Sequence, residues 1–179
     1  TQLKKFNDPD VLANLGDAYR KLGDGGNAVT TYQAAVTMDP KFPRAYYRMG
    51  RLYQSQGRGQ ESIFMPYYEQ AIAADPAYAP VYNNLFNYYY ETNVTKSAEY
   101  FEKWLANSDD DPKACFYRAS IKYAQGLFAE AISKSDECIA AGGAAPYPNL
   151  FGLKAQAYNR LGDSLKAKEF YEEYLKRQV

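Results

Sequence analysis

The stretch LANLGDAYRKLGDGGNAVTTYQAAVTMDP, residues 12–40, decides the fold. Leu12, Leu15, Tyr19 and Leu22 recur at helical spacing, which predicts an amphipathic helix. Asp8 is placed to cap that helix, with Pro9 in its first turn, where a missing N–H costs nothing. Gly23 ends it and turns the chain. A second helix follows, carrying Ala28, Tyr32, Ala35 and Val36, and stops at Asp39-Pro40. Gly16 and Ala28 are small, so the two helix backbones can approach closely, with Tyr19 and Tyr32 filling the space beside them. One such hairpin cannot bury both its faces, so neighbouring hairpins must stack.

The chain repeats this unit. Gly16, Tyr19 and Gly23 return as Gly50, Tyr53 and Gly57, 34 residues on (50 − 16). Asp39-Pro40, Asp75-Pro76 and Asp111-Pro112 follow at intervals of 36 (75 − 39, 111 − 75). A fixed period of this size marks a repeat array. The first block, with Leu12, Leu15, Gly16, Tyr19, Gly23, Ala28, Tyr32, Ala35 and Pro40, resembles the tetratricopeptide repeat (TPR) family. The second resembles it through Tyr46, Met49, Gly50, Tyr53, Gly57, Tyr68, Ala71 and Pro76, and the third through Tyr82, Leu85, Tyr89, Ser97 and Phe101. The fourth offers Phe116, Ala119, Ser120, Tyr123, Gly126, Ala131 and Cys138, and the fifth Phe151, Ala155, Tyr158, Gly162, Ala167, Tyr171 and Tyr174. The resemblance implies an all-α, right-handed superhelical solenoid of about five helix-turn-helix pairs. They span approximately 9–42, 43–78, 79–112, 113–147 and 148–179, one array over 1–179. The opening at Thr1, without a methionine, leads us to expect a piece of a longer parent chain.

Composition narrows the function. The 179 residues include no histidine, which removes Ser-His-Asp and Cys-His nucleophile systems and any histidine-ligated metal site. Two cysteines are too few for a thiolate zinc site within one chain. Cys115 and Cys138 read as reduced, buried small residues; the alternative is a single bridge in an oxidising compartment. Lys plus Arg and Asp plus Glu balance at 21 each, without the basic excess of a nucleic-acid binder. No apolar run approaches the roughly 18 residues of a membrane span. No phosphate-binding glycine loop appears, because Gly23-Asp24-Gly25-Gly26 lies between helices rather than after a strand. Neither catalysis nor a cofactor is expected. Bacterial cytoplasm and periplasm both fit this composition.

Several positions depart from the pattern. Phe86 replaces the small residue of the third pair and Trp104 its second alanine, which predicts a splayed pair. Ser62-Ile63-Phe64-Met65-Pro66 inserts a proline, so the second helix of that pair is expected to start near Met65, leaving Phe64 and Met65 in the turn. There they touch a neighbouring turn or form a secondary apolar contact patch. Asp109, Asp110 and Asp111 read as a solvated link with Asp111 as a cap, and Gly142-Gly143-Ala144-Ala145-Pro146-Tyr147-Pro148 as a hinge. Asn93-Val94-Thr95 fits a glycosylation acceptor pattern that also arises by chance.

The first helix of each TPR pair lines the family's inner groove, so the resemblance implies that side chains there meet a ligand. Arg44, Arg48 and Arg51 share one helix face with Tyr47 between them, and guanidinium forks suit carboxylates and phosphates. Asn83 and Asn87, four apart, offer amide donors and acceptors to an extended peptide backbone. Tyr90 and Tyr117 add flat contact area. Some TPR proteins clamp a chaperone's C-terminal carboxylate with lysine and asparagine; Ala13 and Asp17 occupy those places here, so that ligand is not expected. The expected role is a non-catalytic scaffold for a protein or extended peptide bearing an acidic group. The alternative is an assembly module that self-associates through a terminal helix ending in Phe170, Tyr171, Tyr174 and Leu175.

Overall fold

The computed structural model describes residues 8–57, 61–108, 112–142 and 147–178. Among them are ten α-helices and no strand. They run as hairpins: α1 (Pro9–Lys21) with α2 (Gly25–Met38), α3 (Pro43–Gln54) with α4 (Glu61–Ala74), and α5 (Ala79–Tyr89) with α6 (Val94–Ala106). Then come α7 (Pro112–Ala124) with α8 (Phe128–Ala140), and α9 (Asn149–Arg160) with α10 (Ser164–Lys176). The chain divides into two compact units, Thr1–Val81 and Tyr82–Val179. No described helix is long and apolar enough to cross a membrane.

In the first unit, local signals do what the sequence predicts. The Asp8 carboxylate accepts from the Asp10 N–H at 2.8 Å, and Gly23 leaves α1 at a positive φ of 79°. The Asp24 carboxylate caps α2, accepting from the Asn27 N–H at 3.0 Å and the Asn27 side-chain amide at 2.7 Å. Leu12, Ala28, Tyr32, Ala35 and Val36 form one core with Ala45 and Met49 of the next helix. The close approach rests on glycine. A Cβ on Gly16 would lie 2.4 Å from Tyr32 Cε1, and one on Gly50 would lie 2.5 Å from Tyr68 Cε1. Tyr32 and Tyr68 are both fully buried over those bare backbones. Their hydroxyls reach out to polar partners, Tyr32 to Asp17 at 2.7 Å and Tyr68 to Gln54 at 2.5 Å. Each pair is thus locked by a large ring over a glycine.

The expected late start of α4 is wrong. The helix begins at Glu61 and carries Pro66 inside it. Pro66 forfeits one helix hydrogen bond, to the Ser62 carbonyl, close to the helix start where the ladder is still short. Phe64 is buried to 1% exposure and meets Tyr68 edge-on at 5.6 Å. Burial of a side chain that size contributes about 1.5–3 kcal/mol, enough to offset the lost bond. Phe64 is therefore core, not an exposed patch; Met65 beside it is half-buried.

In the second unit the third pair absorbs its bulky residue. The Ser97 hydroxyl donates to the Phe86 carbonyl at 2.7 Å, joining α6 to α5 in the core. Phe86 packs edge-on against Phe101 at 5.5 Å and tilted against Trp104 at 5.6 Å. Asn93 caps α6, accepting from the Lys96 N–H at 3.1 Å. The fourth pair corrects a second expectation: Cys115 and Cys138 form a disulfide between α7 and α8. The predicted Asp111 cap and most of the predicted hinge, Gly143 to Pro146, lie outside the described residues. In the last pair Phe170 stacks on Tyr158 at 5.4 Å. Leu165 and Leu175 of α10 stand 85% and 62% exposed, among charged neighbours that include a Lys168–Glu172 pair at 3.8 Å.

Candidate functional site

In the first unit, α1 and α3 place polar side chains opposite one another. Asp10, Asn14 and Asp17 lie on α1 at helical spacing, and Arg44, Arg48 and Arg51 lie likewise on α3. Arg44 binds all three α1 residues. Its guanidinium donates to Asp10 at 3.1 Å, to Asn14 at 2.6 Å and to Asp17 at 3.3 Å. Arg48 Nε lies 3.2 Å from Asp17 Oδ1 as an ion pair. The same oxygen accepts from the Tyr32 hydroxyl. That carboxylate and burial together push the Tyr32 phenol well above its ordinary range, with burial the larger cause. Asp17 thus ties the aromatic lock of the first pair to the charged face above it.

Arg51 is different. Its Nη1 donates to the Tyr47 hydroxyl at 3.1 Å, and no carboxylate pairs with it among the described residues. The residue is exposed. Tyr47, expected to face a ligand, is instead 8% exposed, wedged 6.0 Å from Tyr68 and 5.8 Å, edge-on, from Tyr78. It supports Arg51 rather than presenting a free surface. Arg48 and Arg51 both stand over its ring at 5.9 Å. Tyr78 has a raised phenol pKa, first through burial and then through nearby Tyr47.

In the second unit the predicted residues are spent differently. The Asn87 amide donates to the Asn83 side chain at 2.9 Å and to the Asn83 carbonyl at 2.7 Å, so the two amides hold each other on an exposed face. The Tyr90 hydroxyl donates to the Ser120 carbonyl at 3.0 Å, bracing α7, and burial raises its pKa. Tyr117 packs edge-on against Phe86 at 5.0 Å and belongs to the aromatic core around Trp104. Tyr117 is therefore a packing residue, because the bulky third pair needs it to close over Phe86. A hollow of about 260 Å³ lies between α7, α9 and α10, walled by Phe116, Asn149, Leu153, Gln156, Tyr171 and Tyr174. Sequence reasoning missed that hollow and the acidic partners of Arg44. The period alone signals the latter: Asp10 and Arg44 are one repeat apart, so they occupy the same place on successive first helices. No group of metal-ligating side chains forms among the described residues.

Stacked helix hairpins locked by a tyrosine over a glycine, with polar residues at repeat-spaced positions, define a helical-repeat protein. Family profiles confirm the particular kind. One described as TPR repeat matches residues 16–57, and one described as tetratricopeptide repeat matches 43–78 and 148–178. The chain belongs to the tetratricopeptide repeat family. Small glutamine-rich tetratricopeptide repeat-containing protein 2 of Mycosarcoma maydis is 32% identical over 71 residues. That match covers 40% of this chain and 20% of the fungal protein, so the chain matches only a fifth of that relative's length. Among solved structures, YrrB, described as a TPR protein with an unusual peptide-binding site, superposes with a TM-score of 0.74 at 17% identity. The superposition covers 96% of this chain and 87% of YrrB. MamA from Desulfovibrio magneticus RS-1 gives a TM-score of 0.75 at 10% identity over 95% of this chain and 94% of its own. These likenesses establish the all-α repeat fold.

Proposed function

We propose that the chain is a non-catalytic protein-binding scaffold that takes an extended peptide bearing an acidic group on the α1/α3 face of its first unit. One observation carries this: of the three α3 guanidiniums, Arg44 and Arg48 meet Asp10 and Asp17, whereas Arg51 is exposed, hydrogen-bonded to Tyr47 and without a carboxylate partner among the described residues. Arg44 and Arg48 are held by Asp10 and Asp17, so they set the shape and field of the face while Arg51 offers a free fork. A peptide-binding site in the similar YrrB agrees with this reading. The absence of histidine from the sequence supports a role without catalysis.

Affinity capture from native lysate, with the chain and its Arg51→Ala variant run side by side, tests the proposal. A partner that the native chain retains, that Arg51→Ala loses, and that elutes as salt rises is the expected result. An identical set of partners on both baits would remove Arg51 from the site. A second reading, self-association through α10, draws on the exposure of Leu165 and Leu175. A concentration-dependent mass that Leu165→Ser/Leu175→Ser abolishes is what that reading requires; a monomer at all concentrations rules it out.

A further inference from the structure

The fourth helix pair lacks the lock that holds the first. Left-handed glycines end α1 and α7 alike, Gly23 at φ 79° and Gly126 at φ 79°, and they fix the register between the two pairs. Counted from those glycines, Ala119 stands where Gly16 does, and Ser135 where Tyr32 does. Ser135 is fully buried but small, and its hydroxyl turns back to the Ala131 carbonyl at 2.8 Å. The largest buried ring of the pair is therefore gone. In the same register Cys115 takes the place of Leu12 and Cys138 that of Ala35, two residues that share the core of the first pair. Here the corresponding positions are covalently joined. Cys138 is fully buried beside Ala119 and Leu150, with Phe116, Tyr147 and Leu153 packed around them.

We propose that the Cys115–Cys138 disulfide is a structural staple that replaces the missing aromatic lock, and that the protein works in an oxidising compartment. A ring over a glycine stabilises the native state by burial and packing. A cross-link closes a segment of chain and restricts the unfolded ensemble. The first device is indifferent to redox conditions and the second depends on them. Disulfides persist where thiols are kept oxidised and are rare where glutathione and thioredoxin reduce them. A dithiol reagent breaks the bond in two exchange steps. Its thiolate attacks the sulfur of Cys115, the more accessible residue, and Cys138 leaves as a thiolate that takes up a proton. The second thiol of the reagent then displaces Cys115, which also ends as a thiol. Two electrons and two protons pass to the protein, and the reagent becomes a cyclic disulfide.

Two measurements on the intact chain test this. Thiol alkylation of the protein trapped directly from its native cells is expected to leave both cysteines unlabelled; two labelled cysteines would overturn the compartment. Amide hydrogen exchange is then compared with and without dithiol. Exchange in α7 and α8 is expected to rise on the order of 100-fold on reduction, while α1 and α2 stay unchanged. Equal exchange in α7 and α8 under both conditions would overturn the staple. Cys115→Leu/Cys138→Ala, which restores Leu12 and Ala35 of the first pair but not its ring, is expected to exchange as fast as the reduced protein and to ignore dithiol. Exchange in that variant as slow as in the oxidised protein would show that apolar packing at these two positions suffices without the bond, and would overturn the staple.

Discussion

The first and fourth helix pairs solve one packing problem by different means. In the first, Tyr32 lies on the bare backbone of Gly16, and its hydroxyl holds Asp17 on the polar face. In the fourth, Ala119 and Ser135 leave no room for a ring and offer none, and a disulfide joins the helices instead. The difference lies in what each lock is connected to. Tyr32 reaches Asp17, and Asp17 orients Arg44 and Arg48, so core packing and the proposed recognition surface are coupled in the first unit. The staple of the fourth pair lies in an apolar cluster with Ala119, Leu150, Phe116, Tyr147 and Leu153.

The strongest way to break the comparison is Tyr32→Ala. Removing a fully buried ring and the partner of Asp17 should cost about 3–5 kcal/mol, read as a lowered denaturation midpoint with loss of α1/α2 protection. Reduction of Cys115–Cys138 comes next. The bridged residues are 23 apart, so a loop of that size implies about 3 kcal/mol, read as a midpoint that falls only with dithiol present. Gly50→Ala is smaller. The added Cβ would meet the Tyr68 ring at 2.5 Å, an overpacking of about 1–3 kcal/mol that exceeds the helix-propensity gain of about 1 kcal/mol.

Alkaline pH gives a gentler test. The native pKa of Tyr32 is raised above its unfolded value by burial and by Asp17, so the folded state favours the neutral phenol. Its contribution is fully present below the unfolded phenol's pKa of about 10 and is lost as pH climbs from there. Stability should fall above that pH less steeply in Tyr32→Phe than in the native chain. Parallel curves would show that the phenol does not titrate with folding.

The repeat architecture was legible because glycine, alanine and tyrosine recur where two backbones must meet. The arginine row was legible too, since the period places Arg44, Arg48 and Arg51 on one first helix. What escaped were consequences of facing surfaces. The carboxylates that occupy Arg44 and Arg48 sit one repeat earlier, and only stacking brings them within reach. Pro66 suggested a helix start by a local rule, but burial of Phe64 against Tyr68 decided otherwise. In the fourth pair, aligning Phe116, Ser120 and Tyr123 with the motif set the helix one residue out of step with Gly126. In the register that Gly126 sets, Cys115 and Cys138 face each other. Tyr117 looked like a groove residue because its place depends on Phe86, a substitution in the preceding pair.

In the proposed function, recognition by the first unit rests on Arg51, an exposed guanidinium with no carboxylate partner among the described residues. The decisive measurement is the affinity of the captured partner for the native chain and for Arg51→Ala, each titrated at low and at physiological salt. Affinity of the native chain should fall as salt rises, and Arg51→Ala should bind weakly, on the order of tenfold, with a flatter salt dependence. Equal affinity of the two proteins at both salts would contradict the account.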